Sequence, residues 1–238
     1  LVSKLGGGKM QEAVAHALAS LTQNNEVNQA EVTRLGGIPK LVALLSVLNC
    51  DTQAKAAAAL AAVASGTARD EKDMIAKAGG LRALLALIES RYAHTQCSAI
   101  NALAMLSIEH RENQDSIVSL GGIAPLVLLT HTGAAPLEVQ AQAVLALTEI
   151  ARHNVEHQAT IAGTGVIVML VDLLRHSKSL MVEAEVSGAM WALSKDHEDN
   201  KVAIPAAGAI PELVAQLTST TQRAGAQTVE RAHTNAAH

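Results

Sequence analysis

Glycine returns along this chain as Gly36, Gly79, Gly121, Gly165 and Gly208, at intervals of 43, 42, 44 and 43 residues. Self-similarity at a fixed period of this size builds a stack of supersecondary units, each touching its neighbours, rather than one closed core. Every glycine sits at the same point of a recurring phrase. A β-branched aliphatic residue stands four positions before it (Val32, Ile75, Ile117, Ile161, Ile204). Leucine stands five positions after it (Leu41, Leu84, Leu126, Leu170, Leu213), followed by Val42, Leu85, Val127, Val171 and Val214.

The 238 residues would otherwise allow one large domain or two small ones. An apolar fraction of 49% argues for extensive burial and against disorder. That apolar content is aliphatic, with no Phe and single Tyr and Trp residues, Tyr92 and Trp191. Such a composition suits closely packed helices and not an aromatic-rich β-sandwich or RNA-binding sheet. The net charge of −4, without a basic run, speaks against a nucleic-acid partner. Two cysteines, Cys50 and Cys97, fall in different repeats and are expected as reduced thiols, placing the chain in the cytoplasm or nucleus. No uncharged apolar run approaches membrane-spanning length, so direct membrane insertion is not expected, and the first residues lack a signal peptide's pattern.

Within residues 28–65 the pattern reads as three helices. Asn28 is expected to cap a short first helix, with Asn113 and Asn200 equivalent and Glu71 and His157 as exceptions. Gly36-Gly37 ends that helix, because glycine reaches the left-handed region most easily. Pro39 fits the first turn of a second helix, whose stripe is Leu41, Val42, Leu44, Leu45 and Leu48. The third helix spans 53–64, and eight of its eleven residues from Ala54 onward are Ala. An Ala-Leu pair marks each third helix: Ala17-Leu18, Ala59-Leu60, Ala102-Leu103, Ala146-Leu147 and Ala192-Leu193. Nothing calls for a strand.

This arrangement resembles the armadillo repeat. Its most specific marks are Leu35-Gly36-Gly37-Ile38-Pro39-Lys40-Leu41-Val42 and Ala207-Gly208-Ala209-Ile210-Pro211-Glu212-Leu213-Val214. The resemblance covers the whole chain and implies an all-α, right-handed α-solenoid of three-helix repeats. Full repeats are expected at 25–66, 67–109, 110–152 and 153–196, with partial repeats at 1–24 and 197–238. Residues 1–5 match 41–45, so a second helix is expected there, with its third helix at 11–21. Neither end reads as a finished cap, and a longer array is expected.

In the family this chain resembles, third helices line a concave face that holds an extended peptide. Importin-α-like members use a recurring Trp followed four residues later by Asn. The Trp ladder here reads His16, Ala58, Asn101, Leu145 and Trp191, and the Asn ladder reads Ser20, Ala62, Met105, Glu149 and Lys195. Only Trp191 matches, so a nuclear-import receptor is disfavoured. These ten positions are the candidate groove residues, with Trp191 either an aromatic anchor flanked by Lys195 and Glu149 or a core residue. Segments 130–136, 175–181 and 218–227 are secondary contact candidates.

Chemical motifs are weak. His153-Asn154-Val155-Glu156-His157 spells H-x-x-E-H, a metalloprotease pattern, but straddles a repeat junction where His157 is expected to cap and His153 to lie in a loop. Gly6-Gly7-Gly8-Lys9 is too short for a P-loop, and Gly163-Thr164-Gly165 follows no strand. The expectation is a non-enzymatic scaffold or adaptor for a protein or peptide segment, with no cofactor and no metal. The alternative is the substrate-recruiting region of a larger enzyme such as a ubiquitin ligase.

Overall fold

The computed structural model of the chain describes residues 2–66 and 69–218, with side chains described from residue 8 onward. Its helices are α1 (Val2–Thr22), α2 (Glu26–Arg34), α3 (Gly37–Leu44), α4 (Cys50–Ala64), α5 (Arg69–Lys77), α6 (Gly80–Leu87) and α7 (Ala93–Ser107). There follow α8 (Arg111–Ser119), α9 (Ile123–Leu129), α10 (Leu137–Ala151), α11 (Val155–Gly163), α12 (Val166–His176), α13 (Leu180–Ser194) and α14 (Glu198–Ala206). Residues 209–218 are helical as well, and no strand occurs among the described residues. The fold is an all-α solenoid of three-helix repeats. Among the described residues, no single helix is long and apolar enough to cross a membrane.

Each triplet runs short, short, long, as in α2–α3–α4, with third helices α4, α7, α10 and α13 of 15 residues each. The long helices stack face to face, α1 on α4, α4 on α7, α7 on α10 and α10 on α13, while each second helix packs on its own third. Buried between them are the phrase residues. Ile75, Ile117 and Ile161 are fully buried, as are Leu60, Leu84, Leu103 and Leu126. The hydrophobic effect thus acts along the stack, because every repeat covers the apolar face of the next.

The Gly-Gly corner has two separate causes. Gly36 takes φ +67°, in the left-handed region. A Cβ at Gly37 would lie 2.6 Å from Val32 Cγ1 and 2.9 Å from the Val32 carbonyl oxygen. The first glycine answers a torsional demand and the second a steric one.

Three expectations are corrected. α1 runs unbroken from Val2 to Thr22, so no second helix ends before 11–21. Lys9 and Met10 are good helix formers and offer no side chain that could cap a new start, so the helix continues through them. Leu48 is fully exposed, because α3 ends at Leu44 and the chain turns before reaching it. Finally, Asn28 does not cap α2. Asn25 does, its side chain accepting from the Asn28 N–H, and the caps of α8, α11 and α14 are likewise His110, Asn154 and His197. The residue before each cap, Asn24, Glu109, His153 or Asp196, has positive φ, so the connection from third helix to next first helix is tighter than a loop reading allows.

Candidate functional site: the surface lined by the third helices

Residues four apart lie on one helix face. The stacking of α1, α4 and α7 therefore brings three such pairs side by side. His16 and Ser20 are exposed, Ala58, Asn101 and Met105 are half-buried, and Ala62 is buried. All six line one open groove of about 630 Å³, together with Lys55 and Gln23. The floor at α4 consists of methyl groups, so a partner's backbone can approach closely there. Lys55, Asn101 and His16 supply polar edges.

Farther along, Leu145 of α10 is half-buried and Glu149 is 6% exposed. Glu149 accepts two hydrogen bonds from Arg152, at 2.9 Å from Nε and 2.7 Å from Nη2. This fork-to-carboxylate pairing holds the guanidinium above its ordinary pKa and fixes its plane. The Arg152 guanidinium then lies 5.4 Å from the centre of the Trp191 ring, and Lys195 Nζ lies 5.2 Å from it. Trp191 is 49% exposed. Its ring thus meets one cation from Lys195, the residue just past the end of its own helix, and one from Arg152 of the preceding repeat. Glu185, also on α13, is partly buried, and burial followed by the nearby Glu149 charge raises its pKa.

The ladder rests on a second, buried one that sequence reasoning missed. Gln29 Nε2 donates to the carbonyls of Ala62 and Thr22, each at 2.9 Å. Gln114 Nε2 donates to Glu149 and Ser107 carbonyls at 2.9 and 3.0 Å, and Gln158 Nε2 to Ala192 at 2.9 Å. At the equivalent place Lys72 Nζ donates to the Ile108 carbonyl at 2.7 Å, and burial pushes its pKa down. Each polar tip thus satisfies a carbonyl at the end of a third helix, a place where backbone acceptors lack intrahelical partners. Beside it, Asn28, Asn113 and Asn200 donate to Leu21, Leu106 and Leu193 carbonyls at 2.7, 2.9 and 2.8 Å. The asparagines assigned to capping tie consecutive repeats together instead. A polar residue recurring just inside each first helix was the available signal.

The H-x-x-E-H segment has no metal geometry. His157 is the third residue of α11 rather than its cap, with Nδ1 3.2 Å from the Ile150 carbonyl and Nε2 3.0 Å from Asp115. Both of its ring nitrogens are engaged, while His153 stands in the left-handed connection. Of the secondary candidates, 130–136 is a turn segment in which Thr132 bonds to Asp172 at 3.1 Å. Segment 175–181 shrinks to a link at 177–179, because α12 extends to His176 and α13 begins at Leu180. Residues 219–227 and the rest of the expected last repeat lie outside the described residues.

The model of the armadillo/β-catenin-like repeat matches residues 24–62. Among solved structures, the crystal structure of an engineered protein from the Northeast Structural Genomics Consortium aligns with a TM-score of 0.81 at 33% identity, covering 90% of this chain and 85% of that one. A designed armadillo repeat protein in complex with the peptide (KR)4 aligns at 0.77 and 25% identity, covering 85% and 83%. Computationally designed armadillo repeat proteins for modular peptide recognition align at 0.76 and 25% identity, covering 85% and 84%.

Proposed function

This chain belongs to the armadillo-repeat family, and we propose that it acts as a protein-interaction scaffold that takes an extended segment of another protein along its third helices. The observation carrying this reading is the open groove shared by His16, Ser20, Ala58, Ala62, Asn101 and Met105 from three successive helices. An extended strand advances about 3.3 Å per residue, so a segment crossing α1, α4 and α7 meets side chains from each in turn. A designed armadillo repeat protein in complex with a peptide, and others designed for modular peptide recognition, support a peptide-binding role for this fold.

The partner differs in character from (KR)4. Around Trp191 the protein supplies its own cations, Arg152 and Lys195, where a basic peptide would otherwise place a side chain. Glu149, the nearest carboxylate partner of Arg152, is already engaged in both oxygens. A partner with an acidic or apolar residue opposite Trp191 suits this end, because like charges repel across a docked interface.

Trp191, the chain's single tryptophan, is its own reporter. Titration of the chain with a panel of extended peptides, followed by Trp191 fluorescence, is expected to select peptides with an acidic or apolar residue at one position over (KR)4. Ala58→Leu, which fills the groove floor and leaves Trp191 the single tryptophan, should abolish binding while circular dichroism stays unchanged. Binding that survives Ala58→Leu, or that is tightest for (KR)4, would falsify the reading.

A further inference from the structure

Cys50, Asp51 and His94 bring a thiol, a carboxylate oxygen and an imidazole nitrogen within 4.8 Å of one another. His94 Nε2 is 3.0 Å from Asp51 Oδ1. We propose that these three side chains form a zinc site at the rim of the groove.

The fold assembles them through the stacking of α4 on α7. Cys50 and Asp51 are the first two residues of α4, and Asn49, whose side chain accepts from the Thr52 N–H at 2.7 Å, fixes that first turn. His94 is the second residue of α7. The two helix starts are tied together by Thr95 Oγ1, which donates to the Cys50 carbonyl at 3.2 Å. The Tyr92 ring lies next to that of His94, with centroids 5.9 Å apart. Asp51 and His94 each stand seven residues, or two helical turns, before Ala58 and Asn101, so both project on the groove-lining face of their helices.

The donor set selects the metal. Calcium and magnesium take oxygen ligands, whereas sulfur, nitrogen and one carboxylate oxygen together suit zinc. A coordination tetrahedron with bonds of about 2.0–2.3 Å has edges of about 3.3–3.8 Å. The Nε2–Oδ1 separation of 3.0 Å and a thiol within 4.8 Å of both partners bracket that span, and small rotamer shifts bring the donors onto it. Cys50 binds as thiolate and releases one proton to solvent on metal uptake, while the Asp51–His94 contact is replaced by two bonds to the metal. Three protein ligands leave the fourth position for water or for a donor carried by a bound segment. Metal uptake itself does not depend on such a segment.

Cobalt(II) serves as the spectroscopic stand-in for zinc. Titration of the reduced 238-residue chain is expected to saturate at one equivalent, with a near-ultraviolet thiolate-to-cobalt charge-transfer band that zinc abolishes by displacement. Cys50→Ser should remove the band, whereas Cys97→Ser, altering the only other thiol, should keep it. His94→Gln and Asp51→Asn, at exposed side chains, should each weaken zinc by at least about 100-fold, beyond the roughly 10- to 100-fold typical of outer-shell partners. Absence of the band in the parent chain, its survival in Cys50→Ser, or its loss in Cys97→Ser overturns the site.

Discussion

At the scale of residues, the region around Trp191 combines an exposed ring with charges whose protonation is not neutral in effect. Glu185 has its pKa raised by burial first and by Glu149 second, so its ionised form is disfavoured in the folded chain. When both folded and unfolded chains are ionised, this penalty is complete. As pH falls through the raised folded value towards the ordinary 4.5, it vanishes. Glu185→Gln is therefore expected to raise the melting temperature at neutral pH, with the gain shrinking in mildly acidic buffer; scanning calorimetry across that range checks it. A second residue-scale effect is torsional. His153 holds φ +58°, a conformation costing a non-glycine residue about 1 kcal/mol, and His153→Gly should recover roughly 0.5–1 kcal/mol in urea denaturation. Trp191→Ala should weaken a groove-bound peptide by about 2 kcal/mol or more with helical content unchanged.

At the scale of elements, the buried Gln29, Gln114 and Gln158 ladder joins first helices to the ends of third helices. Gln114→Leu leaves the Ser107 and Glu149 carbonyls without their buried donor. The expected loss is about 1–3 kcal/mol, and hydrogen exchange should report it first at the α7–α8 and α10 ends. The helices themselves were legible in the sequence because glycine, proline and the Ala-Leu pair act locally. The order short, short, long follows from them, as does the left-handed corner at Gly36. The caps were not legible. Asn28 and Asn25 are both good capping residues, and only the tight connection through Asn24 decides that Asn25 comes first and leaves Asn28 to reach the Leu21 carbonyl. Likewise the periodic stripe continued to Leu48, while the turn after Leu44 put that side chain in solvent. Of the ladder that the resemblance implied, His16, Ser20, Ala58, Ala62, Asn101 and Met105 line one groove, but the Arg152 cation beside Trp191 was invisible, since it comes from the neighbouring repeat.

At the scale of the whole molecule, stability is distributed along the stack as coupling between neighbours rather than gathered at a centre. Leu103 is fully buried in α7, a helix that packs against both α4 and α10. Leu103→Ala is expected to cost about 2–5 kcal/mol and to loosen α4 and α10 before α13, a gradient that native-state hydrogen exchange can resolve. The alanine content of α4 has a further consequence. Helix axes sit closer together where the side chains between them are small, within a range of about 8–10 Å. Ala56, Ala57 and Ala59, all fully buried, are therefore expected to give a finer pitch where α4 meets α1 and α7 than leucine and valine give between α10 and α13. On that expectation the stack acts as a ruler with unequal divisions. A ligand must match that graduation, and a chain threaded in the opposite sense meets the same marks out of step.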